Sequence, residues 1–310
     1  MKLLKYSLLG IIGLLAISLI LFGQKDIPLK ELKAKYGQEP SRFIKISGME
    51  VHYRDEGMRN DTIPLVLIHG TGASLHTFDD WANQLKSEKR VIRMDLPAYG
   101  LTGPHPERDY SINGYVAFIQ EFLDALDIQH CIIAGNSLGG NIAWNYALKY
   151  PDQVEKLILI DAAGYLSKSN NQPIAFRLAK VPFVKQLFTW VTPRFIVASS
   201  VRNVYADENL VTESLIDRYF ELSLRPGNRQ AFIDRFDVQN DTTAYHRIEQ
   251  IEAPTLILWG AEDQLIPVEM ADRYHEDLPN STLHIMEKTG HVPMEERPEE
   301  SLKQVKAFIF

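Results

Sequence analysis

The chain has 310 residues, 45% of them hydrophobic and 24% charged, a composition that supports a sizeable globular core and excludes collagen-like, low-complexity and disordered classes. Its 33 Lys and Arg against 40 Asp and Glu leave a net charge of −7, without the basic footprint that phosphate backbones require, so nucleic acid is not an expected partner. The single cysteine, Cys131, can form no internal disulfide and cannot by itself build a zinc or iron–sulfur site.

In chain order, Lys2 and Lys5 precede an uncharged run over 6–23, YSLLGIIGLLAISLILFG. It reaches the roughly 17 or more residues that a membrane-crossing helix needs. A cleaved secretory signal would have a shorter apolar region ending in a small-x-small site, and Leu21, Phe22, Gly23 and Gln24 supply none. The expectation is an uncleaved, single-pass N-terminal transmembrane helix over 1–25, followed by a lysine-rich linker over 26–41. Lys25, Lys30, Lys33 and Lys35 compete with Lys2 and Lys5 in setting orientation, while the leading position of the span favours an extracytoplasmic main domain.

Residues 42–47 and 49–54 alternate apolar and polar around Gly48, which predicts a two-stranded hairpin. Short, nearly continuous apolar runs follow at 65–68, 91–94, 131–134, 157–160 and 255–259, the pattern of strands buried on both faces. Segments with helical spacing lie between them, at 78–85, 112–126, 138–149 and 268–278. Alternating strands and helices predict an α/β fold: a mostly parallel sheet with helices on both faces. From Tyr165 to about Tyr245 the alternation stops, and Phe176, Phe183, Phe188 and Trp190 belong to a dense apolar patch with helical character. That stretch reads as an inserted helical cap over 164–248, splitting a core of 42–163 and 249–310. The plainer alternative is that these rings only pack onto the main sheet.

Gly135-Asn136-Ser137-Leu138-Gly139-Gly140 follows a buried strand and opens a helix. In that context a G-x-S-x-G places its serine on a strained strand-to-helix turn, with the hydroxyl above the sheet and the positive end of the helix behind it. Serine needs a base, and the base needs an orienting group. Asp263 stands just beyond the strand at 255–259, and His291 follows the apparent last strand at 282–286. Both occupy loops at the strand ends where ligands of open α/β sheets bind. Glu262 and Asp161 are the rival carboxyls. His52, His130 and His246 have no evident serine partner, and His105 reads as a solvated loop histidine. In His69-Gly70-Thr71-Gly72, after the strand at 65–68, backbone N–H groups can face a developing oxyanion, with the N–H of Leu138 as second donor. His69 itself reads as a buttress.

These residues together resemble the α/β-hydrolase superfamily: HGTG after the third strand, DLPAYGLT after the fourth, GNSLGG at the elbow, WGAEDQLIP at the acid and GHVPMEERP at the histidine. The resemblance spans roughly 43–310. It implies the α/β-hydrolase fold with Ser137, Asp263 and His291 as triad, Thr71 and Leu138 as oxyanion donors, and the cap as above. Relatives with dehalogenase or epoxide hydrolase activity carry aspartate at the elbow, so Ser137 argues against both.

No H-E-x-x-H, paired C-x-x-C, G-x-x-x-x-G-K or G-x-G-x-x-G occurs, and neither metal nor cofactor is expected. The expected activity is a membrane-anchored serine hydrolase, a carboxylesterase or lipase-like enzyme acting on small hydrophobic esters. The nearest rival is a C–C bond hydrolase of the meta-cleavage type, whose members share the GNS-x-GG elbow and tend to carry an aromatic residue after the histidine and a cap arginine. Val292 departs from the first trait, and Arg225 or Arg229 could meet the second. A non-catalytic binding protein on the hydrolase fold is the remote alternative.

Overall fold

The computed structural model describes residues 23–165, 171–182, 184–238, 241 and 243–310, with Tyr6 and Gly13 besides. The eight strands are β1 (Arg42–Ile46), β2 (Met49–Glu56), β3 (Leu65–Ile68), β4 (Val91–Met94), β5 (Cys131–Asn136), β6 (Val154–Ile160), β7 (Thr255–Gly260) and β8 (Ser281–Met286). They form a single sheet in the order β1-β2-β4-β3-β5-β6-β7-β8. The β1–β2 hairpin joins β4 antiparallel, and every pairing from β4 to β8 is parallel.

The period-two alternation of strand side chains explains why the central strands read as unbroken apolar runs. Leu65 and Leu67 of β3 face one core, with Phe78 and Trp81, while Val66 and Ile68 face the other, with Phe122 and Trp144. Helices α3 (Ile112–Ala125), α4 (Leu138–Lys149) and α10 (Glu269–Asp277) cover the second face. On the first face lie α2 (Asp79–Leu85) and α12 (Pro298–Ile309), where the Trp81 indole donates to Ser301 Oγ at 3.0 Å. Cys131 is buried in the sheet, and burial pushes its thiol up to about 12, leaving it protonated and inert.

Between β6 and β7 run the inserted helices: α5 (Ile174–Ala179), α6 (Val184–Phe188), α7 (Arg194–Arg202), α8 (Glu213–Ser223) and α9 (Asn228–Asp237). Before β1, residues 26–41 contain helix α1 (Leu29–Tyr36), whose Leu32 packs with Leu101 and Leu222. Lys35 and Tyr36 bond Glu221 on α8, Asp26 pairs with Arg229 at 2.6 Å, and the Ile27 N–H donates to Leu224 O at 2.9 Å.

The expected N-terminal transmembrane helix is corrected here. Among the described residues no helix is long and apolar enough to cross a membrane. Gly23, at the end of the expected span, instead forms an antiparallel bridge with Val191, and the Gln24 N–H donates to Trp190 O. Pairing of that kind needs extended backbone lying against the inserted helices. The rest of the run, Tyr6 and Gly13 apart, lies outside the described residues. Membrane partnership through this helix, and the single-pass localisation built on it, are corrected with it, since neither has support among the described residues.

Candidate active site

Ser137 occupies the junction between β5 and α4 at φ 55 and ψ −116, in backbone space that side chains other than glycine rarely adopt. Tight packing holds it there. A Cβ on Gly135 would come within 2.1 Å of the Gly139 carbonyl oxygen, and one on Gly139 within 2.1 Å of the Ile68 carbonyl oxygen. Only glycine allows strand, turn and helix to approach this closely. The Ser137 N–H donates to Ile160 O at 3.0 Å, and its carbonyl accepts from Asn141 at 3.1 Å and Ala163 at 3.0 Å.

Asp263 follows β7 on a turn closed by its own N–H to Gly260 O. Its Oδ1 accepts from the N–H groups of Leu265 at 2.8 Å and Ile266 at 3.0 Å, and its Oδ2 takes His291 Nδ1 at 2.7 Å. Both side chains are buried. A carboxylate can only accept, so the imidazole proton sits on Nδ1 and the lone pair on Nε2. Nε2 is buried and has no hydrogen-bond partner among the described residues, and His291 and Ser137 line the same cavity.

The loop carrying His291 is fixed from two directions. Its N–H donates to Val204 O at 2.8 Å, and its carbonyl accepts from Asn136 Nδ2 at 2.9 Å. The buried Glu296 carboxylate accepts from Gly290 at 2.7 Å, Asp207 at 2.9 Å and Ala206 at 3.1 Å. Neither Asn136 nor Val204 was legible as a partner from sequence. Glu296 sits inside the GHVPMEERP motif, which was its only available signal.

Of the rival carboxyls, Glu262 is exposed, and Asp161 turns its Oδ1 to the Gly260 N–H at 2.9 Å rather than to the imidazole. Burial, with the neighbouring Asp263 charge second, holds the Asp161 carboxyl well above the usual range. The ligand atoms of Asp161, Asp263 and His291 lie within 4.8 Å of one another. A buried Asp161, whose carboxyl burial biases toward the protonated form, and an imidazole already engaged through Nδ1 make a poor donor set for a cation.

Thr71 lines the cavity beside Ser137, and Leu138 opens α4, so its N–H belongs to the unpaired donors of a first helical turn. His69 Nδ1 bonds Gly70 O at 2.8 Å and its Nε2 accepts from Leu96 N at 3.0 Å. Burial lowers its pKa, so it braces the loop as a neutral ring. A second Ser–His–Asp array exists, with Ser41 Oγ on His52 Nε2 at 2.8 Å and His52 Nδ1 on Asp95 at 2.7 Å. There the His52 ring is fully buried and Asp95 is saturated by the Leu75 and Leu101 N–H groups. It ties the hairpin to the loop after β4.

The cavity measures about 160 Å³, with Phe176, Phe188, Ile196, Val201 and Phe232 from the inserted helices among its walls. Trp190 is 69% exposed and does not line it; Phe183 lies outside the described residues. A second cavity of about 220 Å³ also reaches Ser137, Thr71 and Leu138, and is bordered by Arg235 and Asn141.

Known proteins share this architecture. The profile of the alpha/beta hydrolase fold matches residues 63–298. A 2-hydroxy-6-oxo-2,4-heptadienoate hydrolase of Pseudomonas putida is 28% identical over 263 residues, covering 82% of this chain and 90% of its own. Lipase 1 of Psychrobacter immobilis is 30% identical over 256 residues, covering 79% of this chain and 76% of its own. Among solved structures, a bacterial membrane phospholipase A is similar with a TM-score of 0.76 at 27% identity, over 98% of both chains. With the parallel sheet, the serine turn and a profile match over most of its length, the chain belongs to the alpha/beta hydrolase fold family.

Proposed function

We propose that the protein is a serine hydrolase that cleaves carboxylic esters of hydrophobic substrates through an acyl-enzyme. The observation that carries this reading is the His291 ring, held on Nδ1 by Asp263 at 2.7 Å and leaving a free Nε2 in a site shared with Ser137. His291 takes the Ser137 proton as Oγ attacks the ester carbonyl, and Asp263 keeps the tautomer and stabilises the imidazolium. The Thr71 and Leu138 N–H groups receive the oxyanion. His291 then protonates the leaving alcohol, and water, activated by the same ring, releases the acid. Residues 164–248 act as a cap whose apolar side chains, Phe176, Phe188 and Phe232 among them, receive the acyl or aromatic part of the substrate.

A fluorophosphonate probe tests the reading: wild type should be labelled and turn over p-nitrophenyl esters, and Ser137→Ala should do neither while folding normally. Labelling that persists in Ser137→Ala would sink it.

C–C bond hydrolysis is kept as the second reading because Arg235 borders the second cavity together with Ser137 and Leu138, where it could meet an acidic substrate. Arg225 bonds Leu101 O, while Arg229, paired with Asp26 through Nη2, also lines the first cavity with Ser137 and His291 and keeps a buried Nη1 with no partner among the described residues. A dienoate ring-fission product assayed beside the esters separates the two, since C–C hydrolysis predicts the higher kcat/KM on the dienoate.

A further inference from the structure

Asp161, at the carboxyl end of β6, is a buried acid that the mechanism above leaves unused. The residue is 0% exposed and sits at φ 44, a conformation that costs an ordinary side chain free energy and persists only where the surroundings impose it. Its Oδ1 accepts from the Gly260 N–H, and its Oδ2 is buried with no partner among the described residues. Asp263 and His291 lie beside it, all three within 4.8 Å, and Glu296 adds a further negative charge from α11 (Pro293–Glu296).

An ionised carboxylate here would leave one oxygen without a donor in a site that already holds Asp263 and Glu296. Protonated, that oxygen becomes a donor, and the adjacent acceptor with charge to share is Asp263. We propose that Asp161 is a positioning residue that works as a neutral acid, keeping its Oδ2–H for Asp263 and so fixing the carboxylate that orients His291. The inference rests on the Asp263–His291 reading of the active site and adds to it why two acids stand behind one imidazole. Among the described residues Asp263 has two N–H donors on Oδ1 and His291 alone on Oδ2. A donor from Asp161 holds the carboxyl plane against rotation, as partners behind a ligating or catalytic side chain commonly do.

Asn is the isostere of a protonated Asp: its oxygen can accept from Gly260 and its amide can donate to Asp263. Asp161→Asn should therefore keep kcat within about twofold, while Asp161→Ala should lower kcat about tenfold at unchanged KM, the scale of one hydrogen bond to a charged group. A fall in Asp161→Asn as deep as in Asp161→Ala would show that the negative charge matters, and wild-type kcat in Asp161→Ala would show no positioning role; either overturns the proposal. A measurement on the unsubstituted enzyme covers the case in which Asp161→Ala does not fold. The carbon-13 carboxyl resonance that Asp161→Asn removes should lie at the protonated position at pH 7, and a carboxylate position overturns the proposal. Asp263→Asn in the same assays keeps the two readings apart. Full activity there defeats the triad itself, whereas steep loss there beside a silent Asp161→Ala defeats only the present inference.

Discussion

Asp263 Oδ2 stands 2.7 Å from His291 Nδ1, a contact that leaves Nε2 as the ring nitrogen without a partner among the described residues, in a cavity that Ser137 also lines. Asp263→Asn would offer that nitrogen an amide N–H and stabilise the wrong tautomer. We expect kcat/KM to fall by on the order of 10³ to 10⁴ at neutral pH, with Asp161→Asn nearly silent in the same assay. A larger loss from Asp161→Asn would reverse the assignment of the orienting acid.

Phe188 lines the cavity beside Ser137, whereas Trp190, two residues on, points 69% of its surface to solvent. Phe188→Ala should raise KM more for long-chain than for short-chain esters. Trp190→Ala should leave that preference unchanged. An ester series of increasing acyl length checks both, and a melting-temperature drop in Phe188→Ala without a change in chain-length preference would assign the ring to packing alone.

Gly139→Ala would place a methyl group 2.1 Å from the Ile68 carbonyl oxygen, at a contact between backbone atoms that no rotamer change relieves. The loop from Ile68 to Thr71 must shift, so stability should drop by about 3 kcal/mol or more. The rate of fluorophosphonate labelling should drop with it, because the proposed oxyanion donor at Thr71 moves. Denaturant unfolding measures the first effect and labelling kinetics the second.

Asp161 also sets a pH dependence of stability. Its folded pKa is raised above the ordinary 3.8, so the folded state retains a proton that the unfolded chain gives up. The stability it contributes is therefore full below 3.8 and declines as pH rises toward the folded value. Asp161→Asn, which cannot ionise, should melt higher than wild type at neutral and alkaline pH. The gap should close toward about pH 3; melting curves of both proteins across that range test it, and a gap that widens in acid contradicts it.

The sheet was readable because burial on both faces removes the need for polar alternation: β3 and β4 match the apolar runs at 65–68 and 91–94 residue for residue. α4 begins and ends as its spacing predicts. Hydropathy alone says nothing of what a residue pairs with: Gly23, at the end of the uncharged run over 6–23, pairs with Val191 instead of closing a membrane-spanning helix. The inserted helices were visible only as an apolar patch. α5 and α6 are short, and one or two turns carry little periodic signal. Within the site, Ser137, Asp263 and His291 stood out because each sits at a strand end with a local motif. Val204 holds the histidine loop through its own carbonyl, a bond that any residue could supply, and Asn136 holds it through its side-chain amide, whose acceptor 155 positions away leaves no mark near it in the sequence.

The hydrogen bond from His291 N–H to Val204 O, with Glu296 bridging Gly290 to Ala206 and Asp207, has a consequence for exchanging parts between relatives. An insertion swapped at the ends of β6 and β7 would arrive with a different backbone path at 204–207 and would pull on the very loop that presents the imidazole. Chimaeras that transplant the helices alone should therefore change turnover as well as substrate range. Those that carry Val204 to Asp207 of this chain together with Glu296 should change substrate range with turnover preserved.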